Sequence, residues 1–303
     1  MSKIVITGAT GFIGSHLVRF FINNGHDIIA QGSSKSTIKN LISNLEIDEI
    51  NIKKVEFWQQ DFLKEDWNFP DFSHIDFIIH CAAATKVREG TIENYEKYFG
   101  LNVLATKILA KKALDEKISH FIHLSTGQVF GIPSHFPITE NTPKNPINLY
   151  GYTKLIGEKI VASLGILGLK YTIARPFSIY GKGHYNIISI ITDKIINNEV
   201  LIVYGDGEQS RAFLHVKDIC RAIGLILNNE TCFSEEYNLS GLKEYSVNDL
   251  IKLISDKFKK MPKIIFKESG VNELKRNIAD LTKIENLGFR PQENLEDFIA
   301  KIN

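Results

Sequence analysis

Tyr150 and Lys154, in the run Tyr150-Gly151-Tyr152-Thr153-Lys154, are the two residues of this sequence best suited to moving a proton together. Spaced i and i+4, they project from one face of a helix. A phenol at its ordinary pKa of about 10 is a poor base at neutral pH. A neighbouring ammonium favours the phenolate, so the pair could act as a base toward a hydroxyl or an acid toward a ketone. Tyr152 has no lysine four residues on and is set aside. Upstream, the apolar run Phe121–Leu124 ends in Ser125-Thr126, two hydroxyls at the carboxyl end of a candidate strand. Alone they would read as groups satisfying a turn. Followed by the Tyr/Lys pair, they read as holders of a substrate oxygen.

A second constellation opens the chain. Ile4-Val5-Ile6-Thr7-Gly8-Ala9-Thr10-Gly11-Phe12-Ile13-Gly14 runs from a short apolar strand through a glycine turn into an amphipathic stretch. Gly8 permits the tight turn, Gly11 lets the backbone approach a pyrophosphate, and Gly14 lets helix and strand pack closely. The helix start adds free N–H groups and a positive dipole end. This order predicts a dinucleotide site at Gly8, Thr10, Gly11, Phe12, Ile13 and Gly14, with GxxGxxG rather than GxGxxG spacing. The positive ring of an oxidised nicotinamide would further favour the Tyr150 phenolate.

The elements that must position these groups alternate along the first half. Strands are predicted at Lys3–Ile6, Asp27–Gln31, Val55–Trp58, Ile75–His80 and His120–Leu124, and helices at Phe12–Asn24, Thr37–Leu45, Ile92–Lys117 and Tyr150–Leu167. Gly25 closes the first helix as a C-cap glycine. Such alternation predicts an α/β fold with a doubly wound parallel sheet covered on both faces, binding ligands beyond the carboxyl ends of its strands. From about residue 176 the pattern loosens into Gly-, Asn- and Pro-rich loops with one further strand at Tyr237–Leu239. The expected organisation is a dinucleotide-binding domain over 1–175, with roughly 212–240 returning to it. Residues 176–211 and 241–303 would form a smaller α/β substrate lobe.

A chain of 303 residues can bury a large core. Its net charge of +1 offers no general attraction to nucleic acid or anionic membrane, so any anion site must be local. Cys81, Cys220 and Cys232 are scattered, without metal-ligand spacing, which predicts reduced thiols and no metal site. No apolar run is long enough to span a bilayer and the residues before Gly8 are too few for a signal peptide, so a cytoplasmic protein is expected.

On these motifs the chain resembles the extended short-chain dehydrogenase/reductase family, and within it the nucleotide-sugar epimerase/dehydratase branch, over essentially its whole length. Thr7–Gly14 matches the family's TGxxGxxG, and His80-Cys81-Ala82-Ala83 its HxAA strand end. The resemblance implies NAD or NADP as cofactor and assigns Asp61, with Phe62 after it, to the adenine, Ala82 and Ala83 to the cofactor, and Asn102 to the central helix and catalytic set. Thr126 takes the catalytic hydroxyl position beside Ser125, and Tyr150 and Lys154 the catalytic pair, with Lys154 also on the nicotinamide ribose. Arg175-Pro176 resembles the segment flanking the nicotinamide ring, and Ser178 stands where sugar epimerases often carry asparagine. Arg211 and Arg276 resemble arginines that reach a substrate diphosphate, for which a guanidinium fork is suited. The implied partner is a nucleoside-diphosphate sugar, and the implied assembly a homodimer.

The departures narrow the reaction. Family 4,6-dehydratases place Asp-Glu after the catalytic threonine, whereas Gly127 and Gln128 stand here, so hydride transfer at sugar C4 without dehydration is expected. That leaves 4-epimerisation or reduction of a 4-keto sugar. NAD-preferring members carry an acid at the end of the second strand, where this chain has Gly32, followed by Ser33, Ser34 and Lys35. This set favours NADP over NAD. Two other readings are a reductase of a non-nucleotide ketone, in which Arg211 and Arg276 are structural, and a nucleotide-sensing regulator, which the Tyr/Lys pair argues against.

Overall fold

The computed structural model describes residues 2–33, 41, 53–268 and 274–302. The predicted helix Thr37–Leu45, apart from Leu41, and the candidate cofactor residues Ser34 and Lys35 lie outside the described residues.

The first half forms strands because its apolar runs are short, β-branched and bounded by turns. They are β1 (Lys3–Thr7), β2 (Asp27–Gly32), β3 (Val55–Gln59), β4 (Phe77–His80), β5 (His120–Leu124) and β6 (Tyr171–Pro176). With β10 (Glu235–Leu239) they make a seven-stranded sheet in the order β10-β6-β5-β4-β1-β2-β3. All pairings from β6 through to β3 are parallel, with Ile6 abreast of both Ala30 and Ile79. Helices α1 (Phe12–Asn23), α2 (Tyr95–Phe99), α3 (Ala105–Asp115) and α4 (Leu149–Ile166) cover it. Leu109, Ala110 and Ala113 of α3 and Val161 of α4 join Val5, Ile29, Ile78, Phe121 and Ile173 in one buried cluster. The fold is a doubly wound, Rossmann-like α/β sheet. Strand order reverses between β1 and β4, which puts the crevice for a ligand at Gly8 and His80–Ala83.

Among the described residues, the second half carries five strands (Ser178–Tyr180, Leu201–Tyr204, Ser210–His215, Glu244–Ser246 and Ile264–Lys267) beyond the one expected at Tyr237–Leu239. In the first half, two elements differ from the sequence expectation. Strand β6 was not anticipated, because Thr172 and Arg175 interrupt its apolar pattern although both are fully buried. The long helix expected over 92–117 is broken: α2 passes into a wider π turn at Gly100–Leu104 before α3.

The chain divides into two compact units. The first comprises Met1–Gly131, Lys144–Arg175 and Cys220–Tyr237; the second comprises Ile132–Pro143, Pro176–Ile219 and Asn238–Asn303. The expected boundaries differ by the segment 132–143, which joins the second unit, and by a later return to the first. The second unit holds a three-stranded sheet, in the order β11 (Glu244–Ser246), β9 (Ser210–His215), β7 (Ser178–Tyr180). A parallel pair joins β12 (Ile264–Lys267) to β8 (Leu201–Tyr204). Helices α5 (Ile187–Ile196) and α7 (Val247–Phe258) pack Ile188, Ile191, Ile195, Leu250, Ile251 and Ile254 against Val203 and Phe213. Asn186 caps α5, and Ser246 with Asp249 forms a capping box on α7. A further helix, α6 (Val216–Ile226), runs across the boundary in sequence between the units.

Candidate active site

The glycine turn is built from its own close contacts. Gly8 has φ of +64°, and a Cβ there would lie 2.8 Å from the backbone of Ala82. A Cβ on Gly14 would lie 2.2 Å from the Gly8 carbonyl oxygen, so helix α1 can begin this near the turn only with glycine. Gly11 is exposed at the N-cap of α1 and, as a glycine, brings no side-chain cap of its own. That arrangement, with Thr10, Phe12 and Ile13 around it, fits the diphosphate of a dinucleotide. One fastening was not foreseen. Gln31, next to the last residue of β2, accepts the Gly8 N–H at 2.8 Å and donates to the Gln60 carbonyl at 2.7 Å. Gly32 is buried and Ser33 exposed just beyond it.

At the end of β4 a hydrogen-bonded chain fixes the crevice wall. The Thr7 hydroxyl oxygen accepts from the N–H groups of Cys81 and Ala82, both at 3.2 Å. Its own proton therefore goes to His80 Nδ1, 2.7 Å away. Nε2 of the neutral ring then donates to Thr106 at 3.0 Å, and Thr106 donates to the Asn102 carbonyl at 2.9 Å. Burial holds His80 well below the usual imidazole range, which agrees with this neutral tautomer. Asn102 itself accepts from Ala84 N–H at 2.8 Å and donates to the Ala84 carbonyl at 3.0 Å and to Thr153 at 2.9 Å. Its side chain thus ties the end of β4 to α4, a positioning task. Ala82 and Ala83 are partly exposed along the same wall.

Helix α4 starts where Asn148 accepts the Gly151 N–H, and Asn148 also donates to Gln128 at 3.1 Å. A Cβ at Gly151 would come within 2.6 Å of the Gln128 carbonyl, so the turn after β5 packs directly on the helix start. The turn brings Thr126 to Tyr150: the Thr126 hydroxyl hydrogen-bonds the phenol oxygen. Burial nevertheless pushes the phenol up to about 12, and Thr126 only partly opposes it. The phenol has lost more to desolvation than its neighbours return. Tyr152 points to solvent, half exposed.

Lys154 is 1% exposed and its ammonium has no hydrogen-bond partner. Burial lowers it to about 8, with Glu158 and Cys81 acting in the other direction. Such an orphaned buried ammonium fits a ligand that brings hydroxyl acceptors, as a cofactor ribose does. Ser125 Oγ is likewise buried without a partner. Two expected contacts look different from the side-chain point of view. Phe62 is 5% exposed and stacks on Trp67, with ring centroids 4.4 Å apart, so only its backbone remains for a cofactor. Asp61 accepts the Leu63 N–H at 3.1 Å at the turn after β3.

In the second unit, Ser178 on β7 sits abreast of Phe213 on β9. Arg211 on β9 donates to the Ser210 carbonyl at 2.7 Å. The stretch carrying Arg276 runs alongside β9, bonded at Ser210–Lys275 and Ala212–Asn277. Arg276 forms a two-pronged ion pair with Glu244 and lies over Phe136, 5.0 Å from the ring centroid. Its guanidinium, expected to reach a phosphate, is held by a carboxylate that also accepts from Ser210 at 2.8 Å. Pro176 ends β6. Among the described residues no group of His, Cys, Asp and Glu could hold a metal ion, and no helix is long and apolar enough to cross a membrane.

The arrangement of glycine turn, HxAA wall and Thr–Tyr–Lys cluster finds its counterpart among known proteins. Residues 4–240 match the NAD dependent epimerase/dehydratase family. The chain belongs to this family. It is 32% identical to a putative UDP-glucose 4-epimerase of Methanocaldococcus jannaschii, over 99% of this chain and 96% of that one. It is 30% identical to a dTDP-glucose 4,6-dehydratase of Escherichia coli, over 99% and 92%. Among solved structures it superimposes on a Bacillus cereus UDP-glucuronic acid 4-epimerase bound to a fluorinated UDP-sugar and NAD, with a TM-score of 0.87 and 26% identity over 98% and 96% of the two chains. Epimerases and dehydratases of nucleotide sugars are thus both relatives of this member of the extended short-chain dehydrogenase/reductase branch.

Proposed function

We propose that this family member is a nucleoside-diphosphate-sugar 4-epimerase. One observation carries the reading: the Tyr150 hydroxyl bonded to Thr126, with the orphaned ammonium of Lys154 one helical turn away. A bound nicotinamide dinucleotide supplies the hydride acceptor and donor at this site. Thr126 holds the oxygen on C4 of the sugar, and Tyr150 takes its proton as the hydroxyl becomes a ketone. Tyr150 returns the proton to the same oxygen once the keto sugar has presented its other face. With a pKa pushed up to about 12, Tyr150 is protonated at neutral pH and ready as the acid; acting as base requires positive charge beside it. Lys154 supplies one such charge and holds the ribose. Gly8–Gly14 cradles the cofactor diphosphate, Ala82 and Ala83 line its path, and Asp61 receives the adenine. Arg211 takes the substrate diphosphate, with Ser178 nearby in sequence to Pro176; Arg276 acts there only if its pairing with Glu244 opens.

Gly127 and Gln128 support epimerisation over 4,6-dehydration, since neither side chain can supply or remove a proton. The second reading, an NADPH-dependent 4-keto-sugar reductase, is favoured by the buried Gly32 at the end of β2, where no carboxylate would repel a 2′-phosphate. Mass spectrometry of products from a nucleotide-sugar panel, run separately with NAD, NADH and NADPH, separates the two. An epimer formed without net cofactor consumption supports the first, and stoichiometric NADPH oxidation the second. Turnover of neither kind across the panel overturns both. The homodimer belongs to the same reading, with Leu104, Ile108, Tyr152 and Ile156, exposed on the π turn, α3 and α4, as its apolar face.

A further inference from the structure

Three buried or half-buried charges near the site have no part in the reaction described above: Glu158, Arg175 and Glu236. Glu158 follows Lys154 by one turn of α4, so the two share a helix face, and both are almost fully buried. Its two carboxylate oxygens receive Nε and Nη2 of Arg175 at 2.7 and 2.8 Å. Arg175 Nη2 also meets Glu236 at 2.6 Å, and Glu236 meets Lys144 at 3.1 Å. The guanidinium lies over Phe130, 5.3 Å from its centroid. Taking such charges out of water is costly, and a fold could hold the same volume with apolar side chains. Here the carboxylate end of the ladder lies one helical turn from the buried, unpartnered ammonium of Lys154.

We propose that Glu158, clamped by Arg175, is the counter-charge that keeps Lys154 an ammonium inside the protein, making it a positioning residue for the Tyr150–Lys154 pair. The clamp matters as much as the charge. With both of its oxygens taken by Arg175, Glu158 offers Lys154 a field without capturing its N–H groups, which stay available to a ligand. Among the other groups that act on Lys154, Cys81 works in the same direction as Glu158 but less strongly. His80 and Cys81 at the end of β4 and His123 on β5 are all neutral, the imidazoles held well below and the thiol pushed above their ordinary ranges by burial. Tyr150, on the same helix, is protonated at neutral pH. Glu158 is the largest influence opposing the desolvation of Lys154.

The inference rests on the role of Lys154 in the proposed reaction. Its test is the pH profile of kcat/KM for nucleotide-sugar turnover in E158Q, E158D and the double variant E158Q/R175Q, with folding checked by circular dichroism. Loss of the carboxylate lowers the Lys154 pKa, so the basic limb moves to lower pH. A move from about 8 to about 7 costs about tenfold at pH 9 and only about twofold at pH 7. E158D, which keeps the charge, restores the wild-type limb. The double variant removes both partners of the buried pair together, avoids an unpaired guanidinium, and retains the shift. Folded variants that lose turnover equally at every pH, or lose none, overturn the proposal and leave Glu158 a structural residue. Full turnover in Tyr150→Phe would instead overturn the underlying reaction, whatever the Glu158 variants do.

Discussion

Tyr150 and Thr126 share one hydrogen bond, and in the proposed reaction the phenol exchanges a proton with the sugar oxygen that Thr126 holds. Tyr150→Phe keeps the ring and its packing but removes that proton. The expected result is a loss of about 10²–10⁴ in kcat, the usual contribution of a positioned acid–base group. Cofactor affinity, followed by fluorescence titration, should change less than about twofold, because the phenol is not among the groups that cradle the dinucleotide. Gly32 makes a separate prediction. In the proposed reading Gly32 stands where the cofactor ribose lies, so Gly32→Asp would bond a 2′-hydroxyl and repel a 2′-phosphate, and the ratio of NADP to NAD affinity should fall at least about tenfold. Equal affinities before and after would show that β2 does not choose the cofactor. Tyr150 and Lys154 were legible in the sequence because an i, i+4 relation is local. Gln31 was not, nor was the run Thr7–His80–Thr106, since those contacts exist only after the sheet has set β1 beside β2 and β4. Phe62 was legible as a position but not as a side chain: the aromatic cluster with Trp58 and Trp67 claims its ring.

At the scale of elements, glycine spacing carries the geometry that side chains cannot. Gly14→Ala would drive a Cβ into the Gly8 carbonyl, and Gly157→Ala would set one 2.8 Å from the Asn102 carbonyl at the π turn. Each is expected to lower the unfolding free energy by about 1–3 kcal/mol in urea titrations, the range for overpacked interiors. Only Gly14→Ala should also weaken cofactor binding, because it moves the turn proposed to cradle the diphosphate. Strands β1, β2, β3 and β5 were readable from apolar runs between turns, within a residue or so at each end. Strand β6 was hidden by Arg175, a fully buried cation whose partners Glu158 and Glu236 come from other elements. The break in the 92–117 helix was hidden for a related reason, because nothing in local propensity marks a π turn. The Asn102–Ala84 and Asn102–Thr153 bonds accompany it.

For the whole molecule, three histidines of the first unit are buried neutral: His80, His120 and His123. Burial lowers all three, His120 to about 4 and the others well below the imidazole range. In the unfolded chain each would bind a proton near pH 6.5. The unfolded state therefore gains protons first on acidification, and stability present above about pH 6.5 is lost as the pH falls toward the folded-state values. The slope should approach about 4 kcal/mol per pH unit if all three contribute fully, at about 1.4 kcal/mol each. Urea midpoints measured between pH 7 and pH 5 check this, and a flat profile would refute it. The proposed dimer is tested separately: wild-type protein should sediment as a dimer, and Ile108→Glu with Ile156→Glu as a monomer with its secondary structure intact.

The first unit is stitched from three separated stretches of chain, the last ending at Tyr237. A ribosome that has released residues up to Arg175 has already delivered the glycine turn, the HxAA wall and helix α4 with Tyr150 and Lys154, yet β6 still lacks its neighbour β10. Until that strand arrives, the rim of the sheet is an open row of backbone donors and acceptors on a buried-type sequence, a template for pairing with other chains. A fragment ending at residue 175 should therefore aggregate, and a synthetic peptide spanning 220–239, which carries the whole of β10, should keep it in solution when added during refolding. Every reactive group of the Tyr150 cluster is thus encoded well before the segment that lets its scaffold close, which ties the earliest chemistry of this chain to one of its later-made strands.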